Sequence, residues 1–178
     1  MPARCIACLA VVFSTTAAYA HIPVEYQPLV VEAEFSFSER LFDLTHAVEK
    51  SKTTGKPLLI YVGASDCGPC RQFTAFLASN RPALKDSFDK LLVVDVRTWL
   101  KGPTMSFVVG RQRYSTQEFK ALVGDGNRAF VFPYLWLVDP SLRQVRQLPV
   151  GTENYVAVTR LRDLLRISTD SADRGRVF

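Results

Sequence analysis

The sequence contains two pairs of cysteines with the spacing C-x-x-C: Cys5 with Cys8, and Cys67 with Cys70. Cysteines at this spacing can form a redox-active disulfide, or they can supply two thiolate ligands to a metal ion. In thiol–disulfide exchange the thiolate is the attacking group, so the surroundings of each sulfur decide its chemistry. The segments that contain the two pairs therefore have to be compared.

The first pair lies in residues 1–20, which have the three parts of a secretory signal peptide. Arg4 supplies the positive charge, an apolar stretch follows it, and Ala18-Tyr19-Ala20 forms a small-x-small cleavage pattern. The apolar stretch is shorter than the roughly 20 residues that cross a membrane as a helix. We therefore expect cleavage after Ala20, loss of the first cysteine pair, and no stable membrane insertion of the exported protein.

The second pair lies between a predicted strand and a predicted helix. The apolar run 58–62 is typical of a buried strand, and helical apolar spacing follows Cys67-Gly68-Pro69-Cys70. A cysteine at a helix N-terminus is favoured as a thiolate by the unpaired N–H groups and the helix dipole. We therefore predict that Cys67 attacks and that Cys70, one turn further on, resolves the mixed disulfide. Pro69 stiffens the loop at a position where a helix tolerates proline.

The remaining pattern predicts one α/β domain over residues 21–167, followed by a flexible tail at 168–178. Apolar runs and alternation predict strands at 27–35, 58–62, 91–96, 134–138 and, as an exposed edge, 143–148. Two S-x-x-E capping boxes, Ser36 with Glu39 and Ser115 with Glu118, predict helices that end at Gly55 and Gly124. A helix that Pro82 kinks or ends is expected after Cys70, and a closing helix at 152–167.

The composition favours a folded domain without a nucleic-acid partner. The chain has 178 residues, of which 48% are hydrophobic and 22% charged, so it can bury a core and is not intrinsically disordered. The net charge is +5, but the arginines are spread along the sequence. Arg160, Arg162 and Arg166 fall on the polar side of the closing helix, which is typical of a solvated face.

The tetrapeptide Cys67-Gly68-Pro69-Cys70 and the segment Phe132-Pro133 before the strand at 134–138 together resemble the thioredoxin family. The resemblance covers roughly residues 36–167. It implies an α/β thioredoxin fold, with a central mixed sheet flanked by helices and a cis-proline at position 133. It also implies that Phe132 and Pro133 form a ledge on which an extended protein substrate docks.

The function that the resemblance implies is dithiol/disulfide exchange with protein substrates, without a cofactor. Gly68-Pro69 contains no histidine, which favours a reducing couple, so we expect a reductase. Such a protein needs a disulfide-bearing protein substrate and an electron donor, which we expect to be membrane-bound. The signal peptide, together with a C-terminus that lacks an ER-retention sequence, predicts a periplasmic location.

Three features depart from the family pattern. Asp66 replaces the usual tryptophan before the first cysteine, and its carboxylate should oppose ionisation of Cys67. Tyr61 occupies the position where thioredoxins often have a buried aspartate, so that role is lost or taken by another group. The connection 98–130 is longer than in the minimal fold, which predicts a helical insertion before the cis-proline strand.

Three other interpretations of the second pair stay open at this stage. Cys67 and Cys70 could form a structural disulfide, although so short a loop stabilises a fold only weakly. They could bind zinc or copper, with His21 and His46 as the remaining candidate ligands. The domain could also be a binding or chaperone module in which exchange is incidental.

Overall fold

The computed structural model describes residues 20–36 and 38–167, apart from the side chain of Asn154. In this part of the chain, nine strands form two mixed sheets and five α-helices pack around them. The strands are β1 (Leu29–Val31), β2 (Glu34–Phe35), β3 (Glu39–Asp43), β4 (Leu58–Ala64), β5 (Leu92–Thr98), β6 (Thr104–Val109), β7 (Gln112–Ser115), β8 (Tyr134–Val138) and β9 (Gln144–Arg146). The helices are α1 (Thr45–Thr54), α2 (Gly68–Ser79), α3 (Arg81–Phe88), α4 (Thr116–Val123) and α5 (Val158–Leu165).

The larger sheet has the strand order β1-β5-β4-β8-β9, with β4 at its centre. Strands β1, β5 and β4 are parallel, and β8 and β9 run antiparallel to their neighbours. All seven residues of β4 are buried, as expected for an apolar strand covered on both faces. The strands predicted at 58–62, 91–96 and 134–138 are therefore confirmed, and β9 confirms the predicted edge strand.

Each face of this sheet carries its own hydrophobic core, because successive side chains on a strand point to opposite faces. On one face Leu59 and Tyr61 of β4 pack with residues of α2, α3 and α5, including Phe73. On the other face Ile60 packs with residues of α1, α4 and the smaller sheet, including Phe107. The helix that begins at the cysteine pair is thus held against the central strand by the first core.

The smaller sheet, with the order β2-β3-β6-β7, corrects two predictions. The insertion at 98–130 is not simply helical, because it contributes the hairpin β6–β7 before the single helix α4. The capping box at Ser36 and Glu39 does not start a helix, because residues 39–43 form β3, parallel to β6. The main-chain N–H of Ser36 donates to the carbonyl of Glu39 at 3.0 Å, so a main-chain bond of the β2–β3 turn takes the N–H that the Glu39 side chain would accept in a capping box.

The predicted helix ends are mostly correct. Gly55 and Gly124 end α1 and α4 with positive φ angles of 69° and 77°. The capping box at Ser115 and Glu118 is present, and Pro82 lies in the first turn of α3 rather than inside α2. The closing helix predicted at 152–167 is divided: a 3-10 turn covers Gly151–Tyr155, and α5 begins only at Val158, after the extended residue Ala157.

The predicted signal peptide and tail lie mostly outside the described residues, which begin at Ala20 and end at Ile167. Among the described helices, none has both the length and the apolar character that crossing a membrane requires. Arg160, Arg162 and Arg166 are exposed, as predicted for the solvated side of the last helix.

Candidate functional site

The second cysteine pair lies at the start of α2, where the chain leaves the end of β4. Cys67 is the N-cap residue of the helix, and its Sγ accepts the main-chain N–H of Cys70 at 3.1 Å. Pro69 lies in the first turn, where the missing N–H has no intrahelical partner to lose. Cys67 and Cys70 are joined by a disulfide, with their Cα atoms 5.2 Å apart. The structure therefore places Cys67 at the helix N-terminus, as predicted, with the N–H of Cys70 directed toward its sulfur.

Both cysteines are buried, Cys67 with 2% and Cys70 with 0% of its surface exposed. They form a small cluster with Ala20 and Ala64, against which Phe132 packs. The Phe132–Pro133 peptide bond is cis, and Pro133 is buried immediately before β8. The fold thus brings the two separated motifs of the sequence together at one end of the larger sheet.

Asp66, beside the first cysteine, connects the site to the loop that follows β5. Its Oδ1 accepts the main-chain N–H of Leu100 at 2.7 Å, and Ser65 N–H donates to the carbonyl of Thr98 at 2.9 Å. Burial lowers the pKa of Arg40, whereas the negative charge of Asp66 raises it. The Asp66 carboxylate is therefore hydrogen-bonded to this loop, and its charge acts on the Arg40 guanidinium.

Arg71 places a positive charge at the same loop, and sequence reasoning missed it. Its Nη1 donates to the carbonyl of Ser65 at 3.1 Å, and a Cβ added at Gly68 would meet its Nη2 at 4.0 Å. Arg71 follows Cys67 by four residues, one helical turn along α2. That spacing was the signal available in the sequence.

A buried carboxyl, also missed by sequence reasoning, lies on β5 beside Tyr61. Asp95 is the strand partner of Tyr61, is fully buried, and accepts from Nε of Arg97 at 3.0 Å. Nδ1 of His21 is 3.9 Å from Oδ2 of Asp95. Desolvation raises the pKa of Asp95 to about 6, although the hydrogen bond and charge of Arg97 lower it. A single acidic residue inside the apolar run 91–96 was the signal for this site.

Tyr61 itself supplies no carboxyl to the site. Its ring stacks on Phe73 with centroids 5.6 Å apart, and its hydroxyl donates to the carbonyl of Ala20 at 2.9 Å. Burial raises the pKa of the phenol, and the nearby charge of Asp95 raises it further. Tyr61 therefore packs as a neutral residue, and the carboxyl of this region is on the neighbouring strand.

We predict that the protein loses stability as the pH rises because Asp95 ionises, and that Asp95→Asn does not show this loss. The folded-state pKa of Asp95 lies above its ordinary value of 3.8, so the folded protein binds this proton more tightly than the unfolded chain. Its contribution to stability is therefore present at about pH 4 and is lost as the pH rises through 6. The loss is on the order of 3 kcal/mol.

The measurement is urea unfolding of the unaltered protein and of Asp95→Asn at pH 4 and at pH 7.5. The stability of the variant relative to the unaltered protein should rise between the two pH values. Burial lowers the pKa of His21, which gives a slope of the opposite sign, but His21 is common to both proteins. A difference that stays constant with pH would contradict the prediction.

A second carboxylate anchors the segment that leads into Pro133. Asp125 accepts hydrogen bonds at Oδ2 from the Tyr134 hydroxyl and from Nε1 of Trp136, the latter at 2.8 Å. Its Oδ1 accepts from Asn127 N–H and from Nε2 of Gln147, each at 2.9 Å. Burial by itself raises the pKa of Asp125, but these hydrogen bonds outweigh it and lower the pKa. The residues before Phe132–Pro133 are thus hydrogen-bonded to β8 through Asp125.

Residues 20–36 and 38–167 contain no group of three or more His, Cys, Asp or Glu side chains that could hold a metal ion. His46 is exposed on α1, on the opposite face of the sheet from α2, and His21 lies beside Asp95. Comparisons with protein-family models, with curated proteins and with solved structures found no match to this chain. The geometry of the cysteine pair and its neighbours is therefore the main indication of function.

Proposed function

We propose that this protein is a thiol:disulfide oxidoreductase with a thioredoxin-like domain, in which Cys67 and Cys70 exchange a disulfide with protein substrates. The observation that carries the proposal is a disulfide-bonded pair at the first turn of α2, with the Cys67 sulfur accepting a helix N–H. A structural disulfide has no need of this placement, whereas an attacking thiolate is favoured by it. The packing of Phe132 against the cysteine cluster supports the same interpretation.

In the proposed reaction the reduced Cys67 thiolate attacks one sulfur of a partner disulfide. The bond between Cys67 and that sulfur forms as the partner S–S bond breaks, and the other partner sulfur leaves as a thiolate. The Cys70 thiol then gives its proton to the released partner thiolate and attacks Cys67, which closes the Cys67–Cys70 disulfide and releases the second partner sulfur as a thiolate. The partner gains two electrons and the cysteine pair loses two, so a second dithiol protein must reduce the pair for another cycle.

Direction, location and partners are parts of the same proposal. The Gly68-Pro69 pair without histidine favours a reductase, which in an oxidising periplasm draws electrons from a membrane-bound donor. Arg71 at the loop favours the thiolate of Cys67 and Asp66 opposes it, so the two side chains act on the potential in opposite senses. Phe132 and Pro133 are proposed to align the main chain of the substrate beside the disulfide.

The proposal is tested by equilibrating the protein with glutathione buffers and measuring its reduction potential, alongside its rate of insulin disulfide reduction with a dithiol donor. We expect a two-electron couple near or below about −220 mV and catalysed insulin reduction. A value near about −120 mV with the same activity would assign the opposite direction, that of an oxidase. A disulfide that resists reduction and gives no catalysis would assign a structural bond.

A further inference from the structure

An exposed apolar patch lies beside the cysteine pair and plays no part in the chemistry described above. It consists of Phe35 on β2, and Trp99 and Leu100 in the loop after β5, with 61%, 41% and 49% of their surfaces exposed. The rings of Phe35 and Trp99 are in contact, with centroids 5.4 Å apart. We call these three residues the aromatic patch. Large apolar side chains that remain exposed together are typical of interaction surfaces.

The loop that carries the patch is held in place by its main chain. The Arg40 guanidinium donates to the carbonyls of Trp99 and Pro103 and to Oγ1 of Thr98, at 2.7–2.9 Å. Arg40 itself is buried in the smaller sheet. These bonds end on two main-chain carbonyls and on the Thr98 hydroxyl, so none of them uses the Trp99 side chain. A surface that is already ordered loses less conformational entropy when a partner binds to it.

The patch is connected directly to the cysteine pair. Leu100 donates its main-chain N–H to Asp66, the residue that precedes Cys67. Phe132 packs against the disulfide cluster, and its neighbour Val131 is exposed. The main chain at Leu100 therefore lies next to the residue that precedes Cys67, so a polypeptide that brings its own disulfide to Cys67 comes close to this end of the patch.

We propose that the aromatic patch is a docking surface for the polypeptide that carries the target disulfide. It selects substrates with a large apolar side chain next to the reacting cysteine, since burying such a side chain against fixed rings removes apolar surface from water. The inference rests on the proposed exchange activity and adds a substrate class to it. The patch comes from the smaller sheet and the loop after β5, so it is separate from the Phe132–Pro133 ledge.

The test compares two synthetic peptides that each contain one intramolecular disulfide and differ only in having Phe or Ser next to one cysteine. Their rates of reduction by the full chain are measured together with that of hydroxyethyl disulfide, which is too small to span the patch. The variants are Trp99→Ala and Leu100→Ala. Leu122→Ala is the control, because Leu122 is exposed to the same 41% as Trp99 but lies on α4, outside the patch.

We expect the unaltered chain and Leu122→Ala to reduce the Phe peptide about tenfold faster than the Ser peptide, as one buried aromatic anchor supplies. Trp99→Ala should reduce this preference to about twofold, with unchanged rates for the Ser peptide and for hydroxyethyl disulfide. If the unaltered chain reduces both peptides at the same rate, or if both patch variants keep the preference for the Phe peptide, the patch is not a docking surface. The proposed exchange activity would be unaffected by either result. Equal losses with all three disulfides also overturn the docking surface, because the patch would then support the cysteine pair itself. If the unaltered chain reduces none of them, the proposed function fails and this inference fails with it.

Discussion

Replacing Cys67 by alanine is expected to abolish disulfide exchange, with a loss on the order of a thousandfold or more. The substitution removes the sulfur at the N-terminus of α2, which accepts the N–H of Cys70 in the structure. Cys70 lies one turn further along the helix and lacks the N-cap position that favours a thiolate, so we do not expect it to take over the attack. Insulin reduction and reduction of hydroxyethyl disulfide should be lost together, because both need the same nucleophile.

Replacing Cys70 by alanine should instead trap the intermediate. Cys67 can still attack a partner disulfide, but no second thiol is left to resolve the mixed disulfide. Non-reducing electrophoresis and mass spectrometry should then detect covalent adducts between Cys67 and insulin chains, which dithiothreitol releases.

The matched control for both cysteine variants is the double substitution Cys5→Ala and Cys8→Ala. Made in the full chain before cleavage, it applies the same substitution to the first C-x-x-C pair, which lies outside the proposed site. This control should exchange disulfides at the unaltered rate. Full activity in both Cys67→Ala and Cys70→Ala would show that the proposed mechanism is wrong.

Asp125→Ala is expected to cause the largest loss of stability among the substitutions considered, about 3–4 kcal/mol. It removes the acceptor shared by the Tyr134 hydroxyl and the Trp136 indole N–H, and both aromatic side chains are buried. Each buried donor left without a partner costs about 1–3 kcal/mol. Phe130, whose ring stacks on Tyr134 at 4.3 Å, should lose its support as well.

Urea unfolding at pH 7 measures this effect, with two comparison variants. Asp125→Asn keeps an acceptor oxygen and should cost only about 1–2 kcal/mol. Tyr134→Phe removes the hydroxyl that donates to Asp125, while the Trp136 N–H keeps its acceptor. This variant should cost about 1 kcal/mol. Because hydrogen bonds lower the pKa of Asp125, its contribution is present above pH 4 and is lost on further acidification. A loss below about 1 kcal/mol for Asp125→Ala would contradict its role as an anchor.

Local sequence signals predicted the elements whose stability is decided locally. The apolar run of β4, the glycine that ends α1 and the capping box of α4 each depend on residues that are close together in the chain. The prediction of a helix from Ser36 failed because the capping pattern says nothing about a distant partner. Residues 39–43 become a strand since β6, more than 60 residues away, supplies parallel hydrogen bonds to them.

The sequence alone predicts different surroundings for the two C-x-x-C pairs, and the structure describes only the second of them. The spacing, the preceding apolar run and the helical pattern after Cys70 are enough to place Cys67 at a helix start, because a helix N-terminus is a local structure. The neighbourhood of that cysteine is not local. Asp66 meets Leu100, Arg40 holds the loop of Trp99, and Asp95 comes to lie beside Tyr61 only when β5 pairs with β4. Contacts of this kind depend on which strands become neighbours. The order of the strands is decided when both faces of the sheet are buried together, and this happens only in the tertiary structure.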